Sequence, residues 1–315
     1  MSNDTITSLK SESLYAKSQV YIGRGFRAID AGDREEYQLW ASLALELLGK
    51  AALASVHPSL VVDPNHSPSL FAACGKAQSN DVKTIAAKTL FVRLSHLSKS
   101  FDKKHQDFCE QIALRRNAEL HSGESPFSGM AAAAWEREFW SAAQCILQMQ
   151  NESLESWLGS AKAKAPTEVV EKANEARKWE IKDRIARQKE FFGKAFQDPA
   201  KRIKAKEKAD AFNTWEVSKF FKEQPEGELL TDCPACGCNA PIAGAFWDEE
   251  LVEHENGDDW YEEKALVTYV SQEFYCPTCE LELSGSEEVV AAGLPAEFTH
   301  EETRQREFEP EYGND

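Results

Sequence analysis

The first half of the chain repeats apolar residues at the spacing of an α-helix. The pattern is clearest over residues 37–56, where leucines recur four positions apart. Asp33 and Glu36 stand just before this stretch in the arrangement of a capping box, and His57-Pro58 follows it. These signals predict a helix that begins after Asp33 and ends before Pro58.

The same spacing predicts further helices up to residue 158. Two of them start near residues 81 and 104, and another is predicted as one long amphipathic helix over residues 130–158. Residues 59–69 contain prolines and predict a loop. No useful alternation of apolar and polar residues predicts a strand here. Residues 1–159 are therefore predicted to form an all-α bundle of about five helices.

Residues 160–225 are predicted to form a charged helical connector. Pro166 and the pair Asp198-Pro199 mark two predicted helix starts. A narrow apolar stripe of isoleucine and phenylalanine runs along the first of these helices, and two interpretations of the segment stay open. It is a solvated arm, or it is an arm that contacts RNA or a second copy of the chain. The basic patch of the second interpretation consists of Lys201, Arg202, Lys204, Lys206 and Lys208.

Residues 226–315 change in character. The run from residue 265 to 275 has the composition of a β-strand and leads directly into a pair of cysteines. The predicted fold class is therefore mainly α, with a helical bundle at 1–159, a charged connector at 160–225 and a small β-rich module at 226–315.

The distribution of charge separates the same regions. A formal net charge of −17, if spread evenly, would exclude nucleic acid as a partner. Residues 1–159 carry 16 basic and 18 acidic side chains, residues 160–222 carry 17 and 10, and residues 223–315 carry 3 and 25. The excess of acid therefore lies in the last third, and the charge excludes polyanions only there.

The chain shows no sequence signal for export or for a membrane. It has no run of 18 apolar residues, and its polar N-terminus lacks the apolar core of a secretory signal. We expect a cytoplasmic protein with no membrane partner.

Five of the eight cysteines cluster near the C-terminus. Cys233 and Cys236 form one C-P-x-C pair, and Cys276 and Cys279 form a second. Two such pairs predict a structural Zn²⁺ held by four thiolates, because two intervening residues let both sulfurs face one ion. The 39 residues between the pairs exceed the 15–20 of the common zinc-site pattern, and the excess, residues 239–275, is predicted to fold as an acidic hairpin. The module with its two cysteine pairs is similar to a zinc ribbon.

Other interpretations of the cysteines are less consistent with the sequence. The lack of an export signal argues against disulfides, and two pairs instead of one argue against a redox site. Cys238 is a candidate substitute ligand and His254 a weaker one. The three remaining cysteines are expected to be buried structural thiols; they are Cys74, Cys109 and Cys145.

The predicted helices also carry candidate catalytic residues. Arg116, Asn117 and His121 form Arg-Asn-x-x-x-His near a helix end, and Glu46 and Lys50 form Glu-x-x-x-Lys on an earlier helix. Over roughly residues 10–158 the chain resembles HEPN-domain ribonucleases, which combine these two patterns. The resemblance implies an HEPN-like bundle, catalysis by these five residues without a catalytic metal, and a homodimer.

The residue types suit RNA cleavage. A histidine titrates near neutrality and serves either proton step, and an arginine stays charged and binds phosphate. Arg116 and His121 lie about 140° apart on an ideal helix, so a single helix does not place them side by side. Two simpler interpretations stay open, a helix-end histidine for His121 and an ordinary ion pair for Glu46 and Lys50.

Two functions follow from these features. The first is an endoribonuclease that cleaves RNA through a 2′,3′-cyclic phosphate, in antiphage defence or a toxin–antitoxin system, with the acidic zinc module in regulation or sensing and a neutralising or triggering protein partner. The alternative is a non-catalytic HEPN-like protein that dimerises or binds a partner. His96 and His105 are expected to be surface or core residues rather than catalysts.

Overall fold

The computed structural model describes residues 6–77, 79, 81–130, 132–212, 218–221, 224–256 and 260–307. The chain divides into two compact units, Met1–Glu175 and Ala176–Asp315. The boundary lies inside a helix. The sequence-based division at 159/160 and 225/226 stays a prediction, and residues 1–5 and 308–315 of its outer segments lie outside the described residues.

The first unit is helical, and the prediction of a mainly α fold is confirmed. Through residue 158 the described part of the chain contains seven α-helices rather than about five. The helices are α1 (Ser11–Asp30), α2 (Arg34–Val56), α3 (Ser67–Ala73), α4 (Ala87–Ser95), α5 (Lys103–His121), α6 (Ala132–Gln148) and α7 (Leu154–Leu158). The unit ends within α8 (Ser160–Ala195).

Helix α2 is the centre of this unit. It begins after Asp33, whose carboxylate accepts a hydrogen bond from the Glu36 N–H at 2.9 Å, so the predicted cap is confirmed. It packs against α1, α4, α5 and α6. By length and composition α2 could cross a membrane, but 61% of its most apolar window is buried inside the protein. The core helix of a helical bundle is likewise buried on several sides.

The predicted single helix over residues 130–158 is wrong. The chain leaves the α conformation after α6 at Asn151, whose φ is 57°, and restarts at α7. Ser153 caps α7 by accepting a hydrogen bond from the Ser156 N–H at 3.1 Å. The polar cap at Ser153 therefore starts a new helix, although the helical spacing of apolar residues continues from α6 into α7.

Two other helix starts and one loop differ from their predictions. The helix predicted to start near residue 81 is α4, which begins at Ala87. Pro166 does not open a helix but lies inside α8, which begins at Ser160. Part of the predicted 59–69 loop belongs to α3. Asp198, in contrast, caps α9 (Pro199–Asp210) as predicted and accepts a hydrogen bond from the Ala200 N–H at 2.9 Å.

The second unit is built on an antiparallel sheet. Its strands are β1 (Gly227–Asp232), β2 (Asn239–Asn256), β3 (Trp260–Tyr275), β4 (Glu282–Ser284) and β5 (Glu297–Glu307), and a short helix α10 (Ser286–Ala291) follows β4. The strand order is β1-β2-β3-β4, and β5 also pairs with β3. Strands β2 and β3 pair from Ile242↔Phe274 to Asn256↔Tyr261. The hairpin predicted between the cysteine pairs is therefore confirmed.

The apolar stripe of α8 packs on this sheet module. Ile181 is fully buried in the module's core, and Ile185 and Phe192 pack against it. Arg184 donates hydrogen bonds to the Glu288 carboxylate at 2.8 Å and to the Glu282 carbonyl at 2.9 Å. This part of α8 is therefore a packed helix and not a solvated arm. The five cations of α9 are all exposed.

Candidate functional site

Helices α2 and α5 bring the two halves of the predicted catalytic motif together. Arg116 lies on the buried face of α5, in helical register with Ile112 and Ala113. Its Nη1 donates to Oε2 of Glu46, which is 70 residues away in sequence. The other carboxylate oxygen of Glu46, Oε1, accepts from Nζ of Lys50 at 2.7 Å. One carboxylate therefore joins two cations from two helices.

These three charges are almost excluded from water. The exposed fraction of the side chain is 17% for Glu46, 10% for Lys50 and 9% for Arg116. Burial alone would raise the pKa of Glu46, but Lys50 and Arg116 outweigh it and hold that pKa below its usual value. Glu46 is therefore ionised at neutral pH, and the cluster carries a net charge of +1.

Asn117 lies on the exposed side of this cluster. Its Oδ1 accepts two hydrogen bonds from Arg116, at 3.2 Å from Nε and 2.8 Å from Nη2. These two bonds define which amide atom is the oxygen, because an arginine can only donate. Among the residues that the structure describes, the Asn117 NH₂ group donates to no protein acceptor, so it can face another ligand.

Thr84 completes the cluster, and the sequence analysis missed it. Its Oγ1 accepts from Nζ of Lys50 at 3.1 Å, although the two residues come from distant segments. Backbone bonds hold the segment in place: Asp63 N–H donates to Lys83 C=O at 3.0 Å, and Ile85 N–H donates to Val61 C=O at 2.9 Å. No sequence pattern marks Thr84, because its position depends on this isolated bridge between two irregular segments.

His121 is less integrated than the other motif residues. It is the last residue of α5, one turn beyond Asn117, and its side chain is exposed. Among the described residues no hydrogen bond or ion pair joins it to Glu46, Lys50 or Arg116. The exposure agrees with the angular separation expected on an ideal helix, where His121 points away from the buried face that carries Arg116.

His105 has a different role from His121. Its Nδ1 is 2.8 Å from Oδ1 of Asp102, and its Nε2 is 2.9 Å from Oγ of Ser141. Burial opposes the charged ring, but Asp102 and Cys145 outweigh burial and raise the pKa of His105 to about 9. The ring is therefore protonated at neutral pH and donates to both partners. A donor cannot take a proton from Ser141, so this Asp-His-Ser arrangement is a structural link between α5 and α6.

The second unit brings the four predicted cysteine ligands together. The sulfurs of Cys233, Cys236, Cys276 and Cys279 all lie within 4.8 Å of one another. Two sulfur pairs, Cys233–Cys279 and Cys236–Cys276, are 3.6 and 3.5 Å apart. Tetrahedral zinc with Zn–S bonds of about 2.3 Å needs sulfurs roughly 3.8 Å apart, so the donor set is compatible with this metal.

The two cysteine turns share the same backbone hydrogen-bond pattern. The Cys233 N–H donates to Cys238 C=O at 2.9 Å, and the Cys276 N–H donates to Leu281 C=O at the same distance. Cys238 thus occupies the position of Leu281 in the other turn, and both side chains are buried. Cys238 lies outside the four-sulfur cluster. Of the three cysteines of the first unit, Cys109 and Cys145 are buried as predicted, whereas Cys74 is exposed. The side chain of His254 lies outside the described part of the chain.

Comparisons with known proteins identify no relative of this chain. A scan against protein-family models, a search of curated proteins and a search of solved structures each gave no match.

Proposed function

We propose that the protein is a metal-independent endoribonuclease of HEPN type. The observation that carries this proposal is the bond between Arg116 and Glu46, which unites Arg-Asn-x-x-x-His and Glu-x-x-x-Lys in one cluster. Two patterns that are far apart in sequence thus contribute neighbouring side chains, as a single active site would require. The net charge of +1 also suits a phosphodiester.

The proposed reaction is an internal transfer at phosphorus. The 2′-oxygen of the RNA forms a bond to phosphorus, the bond from phosphorus to the 5′-oxygen breaks, and a 2′,3′-cyclic phosphate results. The 2′-hydroxyl loses its proton to a base, and the leaving 5′-oxygen gains one from an acid. His121 is the residue for one of these proton steps, because it is exposed and an imidazole can accept or donate a proton.

Arg116 acts from beneath the surface in this scheme. Three of its five N–H groups point at Asn117 and Glu46, so it holds Asn117 in place and contributes charge. The bidentate phosphate contact expected from the sequence stays a prediction. In a homodimer, a second copy of the motif would complete the proton transfers that one His121 cannot perform alone.

The test is a gel analysis of cellular RNA after induced expression of the unaltered protein and of variants. His121→Ala should abolish RNA cleavage and growth arrest and leave the fold unchanged, since the side chain is exposed. His96→Ala is the matched control, because His96 is also exposed at a helix end, the C-cap of α4. Intact RNA in cells that make the unaltered protein, or equal cleavage by His121→Ala, would refute the proposal.

A second function is supported by the internal bonding of Arg116. A guanidinium that is 9% exposed and bonded to two protein groups is also what a structural ion pair requires. In that case the bundle is a dimerisation or partner-binding unit without catalysis. Failure of the unaltered protein to cut RNA would favour this alternative.

We also propose a role for the second unit and a cellular system in which the protein acts. Zn²⁺ held by Cys233, Cys236, Cys276 and Cys279 would tie the two cysteine turns together as a structural ion. With all four positions taken by thiolates it supplies no open site for catalysis. We assign the acidic module to regulation or sensing in a cytoplasmic defence or toxin–antitoxin system, with a protein partner that neutralises or triggers the nuclease.

A further inference from the structure

The buried ion cluster is covered by two neutral residues that are exposed. Thr84 lies against Lys50, and Asn117 lies against Arg116. The charged groups are therefore beneath the surface, and a ligand that approaches from solvent meets a hydroxyl and an amide first.

The groups of this surface that remain unbonded are hydrogen-bond donors. The Thr84 oxygen accepts from Lys50, so the hydroxyl hydrogen is available for another partner. The Asn117 oxygen accepts twice from Arg116, which leaves its NH₂ group. Lys50 uses two of its three N–H groups, on Glu46 and Thr84. Within the described part of the chain no acceptor is recorded for these remaining hydrogens.

The free donors of Thr84 and Asn117 lie next to an ion cluster with a net charge of +1. This combination favours an anion that has several acceptor oxygens. A cation would be repelled by Lys50 and Arg116, and the remaining hydrogens of this surface require an acceptor as their partner. Glu46 does not oppose an anion strongly, because both of its oxygens are already bonded to cations. A phosphate group matches this surface in charge and in hydrogen bonding.

We propose that the Thr84 hydroxyl and the Asn117 amide each donate a hydrogen bond to phosphate oxygens of the RNA backbone. Lys50 and Arg116 are positioning residues that orient the two donors and supply the charge. The assignment of RNA rests on the proposed ribonuclease function, whereas the anion site stands on the donors alone. Thr84 belongs to neither of the two motifs.

The experiment measures binding without cleavage. One probe is inorganic phosphate, followed by chemical shifts of the amides around residue 84, and the other is a 2′-deoxy oligonucleotide that lacks the attacking hydroxyl. Thr84→Val removes the hydroxyl at nearly constant shape and should weaken both affinities about tenfold. Thr84→Ser should restore them. Thr89→Val is the control, because Thr89 is exposed on α4 and outside the cluster.

A second variant tests the amide. Asn117→Asp keeps the oxygen that accepts from Arg116 and replaces the NH₂ donor with a charged acceptor, so both affinities should fall more than tenfold. Asn174→Asp adds the same charge at an exposed position of α8 and should have no effect on either probe.

Each outcome decides the proposal. Unchanged affinities in Thr84→Val and Asn117→Asp, or no binding of either probe by the unaltered protein, would overturn the anion site. Binding of phosphate without binding of the oligonucleotide would overturn the RNA assignment. Binding of both probes by a protein that cuts no RNA would retain the site and refute the ribonuclease.

Discussion

Individual residues in this protein owe their chemistry to what surrounds them. The chain has two histidines on α5, and only one of them, His121, is exposed and available to a substrate. His105 is buried between Asp102 and Ser141 and serves the fold. Both have the same intrinsic chemistry, and only the environment separates a candidate catalyst from a structural cation.

The raised pKa of His105 makes stability depend on pH. The protonated ring is favoured in the folded protein, with a pKa of about 9 against the model-peptide value of 6.5. Its contribution, about 3 kcal/mol, is complete below pH 6.5 and is lost as the pH rises through 9. Denaturant unfolding at pH 6.5 and pH 9 should show this loss in the unaltered protein and a much flatter profile in His105→Gln. The exposed His96→Gln should behave like the unaltered protein, and equal pH profiles for all three would contradict the prediction.

Single residues also show the limit of sequence reasoning. The face of α5 that carries Arg116 follows from the apolar spacing around it, so its burial could be predicted. Thr84 could not, because its contact with Lys50 depends on a bridge between two irregular segments, Val62↔Thr84. Tertiary pairing, not local pattern, brings it to the site.

At the scale of elements, the two cysteine turns are the clearest repeated structure. Each turn needs a residue in the left-handed region after its second cysteine: Gly237, with φ of 69°, in the first and Glu280, with φ of 61°, in the second. Glycine adopts this conformation freely, while a side chain such as that of Glu280 is strained in it.

This difference predicts opposite effects of two substitutions. Glu280→Gly should stabilise the second unit by about 0.5–1 kcal/mol, since it removes the strain at some cost in chain entropy. Gly237→Ala should destabilise it by about 1 kcal/mol through backbone strain alone, because no atom lies within 4 Å of the added Cβ. Thermal unfolding of the zinc-loaded protein measures both. A stabilising Gly237→Ala or a destabilising Glu280→Gly would show that the turns differ in some other way.

Elements with strong local signals were predicted well, and elements that depend on their neighbours were not. The caps at Asp33 and Asp198 and the β2–β3 hairpin were all found, because a polar cap or a pair of cysteines marks each of them. The break between α6 and α7 was missed, since the apolar period runs through it. Helix α1 was missed as well, and its close approach to α2 depends on Gly25, where a Cβ would lie 3.1 Å from the Tyr37 ring.

On the scale of the whole molecule, the two units depend on different sources of stability. The first has a large apolar core around α2. The second has a smaller core that includes three of the four clustered cysteines, with the fourth packed against it. A small core of this kind usually needs a metal or another cross-link.

Removal of zinc should therefore unfold the second unit selectively. Chelation should abolish the β-sheet signal of circular dichroism and leave most of the helical signal of the first unit. Cys279→Ser should lower the zinc content well below one ion per chain, whereas Cys238→Ala should keep it at one, because Cys238 lies outside the four-sulfur cluster. Full zinc content in Cys279→Ser, or a sheet that survives chelation, would contradict the assignment.

The net charge of −17 does not show which charged side chains are paired with one another. Part of the acid of the second unit pairs with basic residues of α8, as in the contact between Arg184 and Glu288. Arg177 is bonded to Glu287 in the same way. The asymmetry of charge along the sequence is thus partly neutralised within the unit itself, and the exposed cations of α9 remain.

The sequence by itself determined the helical first half, the hairpin between the cysteine pairs and the four candidate metal ligands. Each of these follows from local spacing, which acts over a few residues and is visible in one dimension. The tertiary structure alone decided that Arg116 bonds to Glu46, that Thr84 joins Lys50, and that Cys238 is buried outside the four-sulfur cluster. These contacts join segments distant in sequence or depend on burial, and both arise only when the chain is packed.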